Sequence, residues 1–163
     1  MPTAGQSTKP SVFLPIFRSK IAECLELDER FVRLVAEPDP KKWSYLTQSH
    51  AAAIHLGPIS GPLVRNAGAG REGTPIEQTL MVYLRSRSFA DSAGGSESVL
   101  MAHYDREIQV VDKLHLQHLP GLFIQPPRLI EEGNPVRRTI TPDGSIETML
   151  PFLIKYPLAL TVA

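Results

Sequence analysis

A chain of 163 residues is long enough to bury one hydrophobic core and short for two. Apolar residues at 42% and charged residues at 21% match ordinary globular usage, which excludes wholesale disorder. Seventeen lysines and arginines balance seventeen aspartates and glutamates, so the basic excess that bulk DNA binding requires is missing.

Residues Met1 to Pro10 are small and polar and read as a flexible arm ahead of a single domain over residues 11–163. The opening MPTAGQSTKPSVFLP lacks a basic segment followed by an apolar run, and no stretch approaches the ~20 apolar residues of a membrane span. A soluble, non-secreted protein with no membrane partner is expected. In VFLPIFRSKIAECLEL, Phe13, Phe17, Ile21, Cys24 and Leu25 recur at helical spacing, with Arg18, Lys20 and Glu23 on the other face. Pro15 is tolerable in a first turn, so Ser11 or Leu14 is expected to open the helix. Cys24, the only cysteine, excludes an intramolecular disulfide and a thiolate metal cluster, fits a reducing compartment, and reads as a small apolar side chain rather than a nucleophile.

Short strands are expected over Arg30 to Ala36 and His50 to Ile59, and a stronger one over Thr74 to Ser88. There Leu80, Val82 and Leu84 alternate with Thr79, Met81, Tyr83 and Arg85. Past the flexible ADSAGGSES comes a second helix, capped by Ser96, with an apolar stripe at Leu100, Tyr104, Ile108, Val111 and Leu114 and with Asp105, Arg106, Gln109 and Asp112 facing water. Strands follow around Leu122 to Ile124 and Arg128 to Glu132, then a projecting turn at Pro142-Asp143-Gly144 within a long loop from Arg137 to Ser145, then a final strand. This order gives an α+β fold: a mainly antiparallel sheet with two amphipathic helices packed on one face.

GAGREG, Gly68 to Gly73, has the G-x-G-x-x-G spacing of a dinucleotide-binding turn. That turn needs a strand before it and a helix after it; here PLVRNA precedes and Thr74-Pro75 leads into a β pattern. The stretch reads instead as a flexible hairpin loop suited to binding or assembly, and no nucleotide or other cofactor is expected. His50 and His55 are five apart on a strand and point to opposite faces, whereas His103, His115 and His118 belong to the second helix and its end. His115 and His118 could share a helical face but read as a helix-end feature, no Glu-x-x-His or His-x-x-x-His pair accompanies them, no serine sits in a nucleophile elbow, and Asp105, Glu131 and Glu132 lack a catalytic partner. No catalytic or metal residue is assigned, and no enzyme is expected. Arg85, Arg87, Arg128, Arg137 and Arg138 are not interleaved with the exposed aromatics of an RNA-binding sheet, and read as solvated or as salt-bridging between subunits.

The last segment, IETMLPFLIKYPLALTV, carries more apolar side chains than one sheet face requires. Either the strand is buried on both faces within one chain, or part of it meets a partner; Pro151 and Pro157 favour an edge. On the second reading copies of the chain meet through Phe152, Ile154, Tyr156, Arg137 and Arg138, with Gly68 and Gly70 in the long loop.

The whole layout resembles the tail-terminator and related head–tail joining proteins of tailed bacteriophages. The likeness rests on the N-terminal amphipathic helix, the strand pair joined by a long loop, QTLMVYLRSRS followed by SESVLMAHYDREIQVVDKLH, the phrase RLIEEGNPVRRT and a closing strand. Within it, Tyr83-Leu84-Arg85 on a strand of V-x-L-x-x-R character precedes Leu114-His115 at a helix end. It covers most of Ser11 to Val162 and departs in a longer loop around KKWSYLTQSHAAA, which bears on the second strand and its register. The resemblance implies a structural virion subunit forming a homo-oligomeric, hexameric ring that caps the tail tube. Its partners would be the tail tube protein and the neck or connector protein, with DNA only as passing cargo. Another neck or head-completion protein, or a small soluble bacterial binding module, is the alternative.

Replacing Gly68 and Gly70 by alanine is expected to leave NAD and ATP binding undetectable before and after, as read by titration calorimetry; saturable binding abolished by these changes would refute the loop reading.

Overall fold

Phe13, Phe17, Ile21 and Leu25 recur every four residues, and helix α1 (Pro10–Leu25) buries all four beneath its inner face. In the computed structural model, which describes residues 9–37, 50–59, 75–87, 95–119, 123, 125–132, 136–140 and 145–157, α1 opens at Pro10, one residue before Ser11, the earlier of its two expected starts. Pro10 occupies the first position, where its missing N–H has no intrahelical partner, and Pro15 therefore lies inside the helix and not in its first turn. α1 ends on Glu26 in the left-handed conformation (φ 54°), with the Leu27 N–H donating to the Ala22 carbonyl at 2.9 Å.

A single 3-10 turn (Glu29–Phe31), capped by the Asp28 carboxylate accepting from the Arg30 N–H at 3.0 Å, leads into β1 (Val32–Leu34). β2 (His50–Leu56), β3 (Pro75–Ser86), helix α2 (Gly95–Leu114), β4 (Gln125–Leu129), β5 (Arg137–Ile140) and β6 (Ile146–Pro157) follow. The six strands form one sheet in the order β1-β2-β3-β6-β4, with β5 also on β6; β1 pairs β2 in parallel and every other pairing is antiparallel. This is the α+β arrangement expected: a largely antiparallel sheet with two helices. The register of β2 is continuous, with Ala52 opposite Leu84, Ile54 opposite Val82 and Leu56 opposite Leu80.

Alternation along the strands sends one set of side chains to the helices. Ala52 and Ile54 of β2, Ile76, Leu80, Val82 and Leu84 of β3, and Leu150, Phe152, Ile154 and Tyr156 of β6 form one buried cluster with α1 and with Val110 and Leu114 of α2. Phe13, Phe17, Phe123 and Tyr156 meet at ring-centroid distances of 5.1 to 6.5 Å. The opposite face carries a smaller cluster of Ala51, Ala53 and Tyr83, and beside it the cross-strand pair Glu77 and Lys155 at 3.3 Å. Gly57, just past β2, donates its N–H to the Thr79 carbonyl at 2.8 Å, and a Cβ there would lie 3.2 Å from that oxygen.

Of the two readings of the last strand, the edge position that its prolines favour is overturned. β6 is an inner strand, paired with β3 along its whole length and with β4 and β5 on its other side. Its prolines are accommodated because β4 and β5 are short and lie in tandem: β5 covers Ile146 to Met149, β4 covers Phe152 to Lys155, and Pro151 falls at the break. There the Ile130 N–H donates to the Pro151 carbonyl at 2.9 Å, and the reciprocal bond is the one proline cannot make. Pro157 closes the ladder opposite Pro75. β4 itself contains Pro126 and Pro127, which an edge strand with a register shift between Gln125 and Arg128 admits. It overlaps the strand expected at Arg128 to Glu132 but begins three residues earlier, the strand expected around Leu122 to Ile124 falls mostly outside the described residues, and β5 occupies what was expected to be the start of a loop. The N-terminal residues 1–8, GAGREG, most of ADSAGGSES, the Pro142-Asp143-Gly144 turn and the last six residues lie outside the described residues.

Phe152→Ala is expected to lower unfolding free energy by about 3–5 kcal/mol in urea titrations, whereas Lys155→Ala, facing the other way, changes it by less than ~1 kcal/mol. Equal costs would contradict the phase of β6.

Candidate functional site

Helix α2 is turned about one residue away from its apolar stripe. Its buried side chains are His103, Glu107, Val110 and Leu114, and of the expected stripe Tyr104 and Ile108 face solvent, with Ile108 69% exposed. A helix that buries a histidine and a carboxylate while displaying isoleucine needs partners for the first and a reason for the second.

The partners come from the sheet ends beneath it. Ser86 is the last residue of β3, and Thr148 stands near the start of β6 on the same face, two residues beyond Ile146, the register partner of Ser86. The His103 ring lies between them, Nδ1 2.7 Å from the Ser86 hydroxyl and Nε2 2.7 Å from the Thr148 hydroxyl. Thr148 is 2.6 Å from Glu107 Oε2, and a carboxylate only accepts, so Thr148 donates there and accepts from His103 Nε2–H. Nδ1 is then the acceptor for the Ser86 O–H, and the Ser86 oxygen accepts from Arg106 Nη1 at 2.8 Å. Glu107 is completed by Arg138 of β5, whose Nε donates to Oε2 at 3.1 Å and whose Nη2 donates to Oε1. Donation thus runs in one direction, Arg106 to Ser86 to His103 to Thr148 to Glu107, with Arg138 closing the far end.

The electrostatics follow the geometry. Burial lowers the His103 pKa to about 4, opposed by the nearby Glu107 carboxylate and reinforced by Arg106 and Arg138. The ring is therefore neutral at pH 7. The hydrogen bond to Glu107 raises the Arg138 pKa, and desolvation lowers that of Arg106. A serine hydroxyl donating to histidine is the first half of a nucleophile–base pair, but Ser86 is 1% exposed and its oxygen already accepts from Arg106. The arrangement fixes β3, β6, α2 and β5 to one another.

The outward side of the same region is apolar. Met101, Tyr104 and Ile108 of α2 and Ile140 of β5 are exposed, and the Arg138 guanidinium lies over the Tyr104 ring at 4.4 Å, joining helix and strand into one surface. All four residues of β5 are exposed.

Two clefts flank α2. One, of about 280 Å³, is bounded by Cys24, Glu26, His50, Asp105 and Arg106; the other, of about 240 Å³, lies between His115, Arg128 and Glu131. Burial pushes the Cys24 thiol up to about 11, so it is protonated at neutral pH, and its Sγ donates to the Ile21 carbonyl at 3.3 Å. Burial and the Arg106 charge lower the His50 pKa. His50 and His55 do face opposite ways: His50 Nε2 lies 3.4 Å from the Leu25 carbonyl, His55 Nδ1 3.0 Å from that of Val35.

Of the residues expected at a contact between copies, Phe152, Ile154 and Tyr156 are 0%, 0% and 3% exposed and belong to the chain's own core, because β6 is an inner strand facing both helices. Arg137 and Arg138 do reach the surface on β5, and Gly68 and Gly70 lie outside the described residues. The relay residues were missed. Their sequence signal was His103 and Glu107 one helical turn apart, inside a stripe whose phase the more numerous apolar residues decided. No protein-family model and no curated protein sequence matches the chain.

Since the folded His103 value lies below the ordinary 6.5, the unfolded chain binds more protons between the two. Stability is whole above about pH 6.5 and falls toward pH 4, by at most ~1.4 kcal/mol per pH unit. Thermal melts between pH 7 and 4.5 should show a shallower slope for His103→Gln than for the native protein. Thr148→Val, which leaves His103 Nε2–H and Glu107 each short of a partner, should cost about 1–3 kcal/mol at pH 7.

Proposed function

We propose that the chain is a structural virion protein of the tailed-bacteriophage kind, a tail terminator that caps the tail tube and joins it to the neck as a homo-oligomeric ring. The observation that carries this reading is the exposed apolar surface of α2 and β5 at an open end of the sheet. Exposed apolar side chains beside a strand edge that no other described strand covers are what a subunit of an assembly displays and what a solitary protein avoids. The α+β layout and the phrasing from QTLMVYLRSRS to RLIEEGNPVRRT support the same assignment through their resemblance to tail-terminator and neck proteins. The buried relay fits a structural role, since its two hydroxyls, the imidazole and the carboxylate are all hydrogen-bonded within the chain itself. In this reading the tail tube and neck proteins are the partners, DNA passes through the lumen without being recognised, and the chain is no enzyme.

Native mass measurement and negative-stain imaging of the purified protein, and of the particle that contains it, are expected to show a closed ring of identical subunits, six in the family reading. A strict monomer at high concentration that is also absent from any particle would defeat the proposal.

A further inference from the structure

The end of α2 is fastened to the edge of the sheet by an imidazole. Ile130, just past β4, donates its N–H inward to the Pro151 carbonyl of β6 at 2.9 Å, so the alternate groups, the Pro127 carbonyl and the Leu129 N–H, point outward, where a further strand would pair with them. Residues 115 and 116 take that strand's place. The Leu116 N–H donates to the Pro127 carbonyl at 2.7 Å, and His115 Nδ1 accepts from the Leu129 N–H at 2.9 Å.

A ring nitrogen thus stands in for a carbonyl oxygen, and unlike a carbonyl it can take up a proton near neutral pH. Nδ1 accepts only in the neutral ring with its proton on Nε2; the imidazolium carries an N–H on both nitrogens and would turn a donor toward the Leu129 N–H. The bond that remains is borne by a strained residue. Leu116 follows the helix in the left-handed conformation (φ 56°), which ordinarily falls to glycine, and at 58% exposure its own packing does little to hold it there. The ring is half-buried and opens on the cleft of about 240 Å³, so a proton reaches it without unfolding. Across that cleft stand Arg128, Glu131 and Glu132; α2 carries Asp112 and Lys113, with His118 beyond; α1, packed on α2, carries Arg18, Lys20 and Glu23, the last 3.1 Å from Lys113. Arg128, Lys113, Arg18 and Lys20 balance Glu131, Glu132, Asp112 and Glu23, so these groups add no net charge of either sign.

Independently of how copies of the chain assemble, we propose that His115 is a proton-operated clip: the neutral ring holds the end of α2 on the outer edge of β4, and the imidazolium releases it, leaving the Pro127 carbonyl and the Leu129 N–H open to another strand.

Nitrogen-15 NMR of the native protein between about pH 8 and 5 tests this, a range in which histidines ordinarily titrate and which stays above the value of about 4 for His103. The His115 ring is expected to be the Nε2–H tautomer at the alkaline end. As it gains its second proton, the Leu129 amide resonance should shift with the same midpoint, and the protection of that amide from hydrogen exchange, corrected for the intrinsic rate, should fall by at least ~10-fold. His115→Gln offers an acceptor that does not titrate and should keep Leu129 protected throughout, whereas His115→Leu offers none and should leave it unprotected throughout; native-like pH dependence in either variant would count against the clip. An Nδ1–H tautomer, a ring that stays neutral down to pH 5, or Leu129 protection that ignores the protonation of the ring overturns it. These three readings come from the native protein alone, so a variant that fails to fold does not obscure them.

Discussion

The ladder between β3 and β6 is the constraint on which the rest of the structure depends. Both strands are twelve residues long and pair from Pro75 and Pro157 to Ser86 and Ile146 without a break. Because side chains alternate with period two, one register assigns every residue of both strands to a face at once. It puts Leu80 and Phe152 opposite each other under the helices and Glu77 opposite Lys155 on the other side. It also sets Gln78 where its amide oxygen meets the Tyr156 hydroxyl, and brings Ser86 and Thr148 to the same end of the inner face. A slip of one residue would send Phe152 outward and separate both hydroxyls from His103.

Helix α2 accepts an arrangement that its own apolar residues oppose. Turning His103 and Glu107 inward leaves Ile108 in water and desolvates a carboxylate, which only a complete set of hydrogen bonds offsets. Ser86, Thr148 and Arg138 supply that set from three different strands, so the orientation of α2 is tied to the sheet and to β5 together. What packs the helix is therefore partly polar and directional, and what it shows to the outside is apolar.

Much of the fold was legible in the sequence because its strongest patterns are long. The alternation of Leu80, Val82 and Leu84 and the four-residue spacing of Phe13, Phe17 and Ile21 each repeat a single periodicity, and the structure follows both. The failures share a cause: each needed a partner distant in the chain. Pro151 reads as an edge signal, and the break between β4 and β5 that accommodates it is formed by residues 129 and 137, which local pattern cannot place side by side. The phase of α2 was decided by counting apolar residues, while the contacts that set it come from Ser86 and Thr148, 17 and 45 residues away from His103. Three of the expected contact residues, Phe152, Ile154 and Tyr156, were core for the same reason. Arg137 and Arg138 lie on the displayed edge, yet Arg138 is directed at Glu107 inside its own chain.

The tandem placement of β4 and β5 has a thermodynamic side. Two short strands hold separate stretches of β6, so each can open without the other, and the sheet edge has two units of local unfolding. They are unequal. β5 is four residues long and each of them is exposed, yet lifting it away would strip the guanidinium from the buried Glu107 carboxylate and from the face of Tyr104. Peeling of β5 is thus coupled to the ionic state beneath α2, and the amide groups of Arg138 and Thr139 gain protection from hydrogen exchange that a strand of such length and exposure would not have alone.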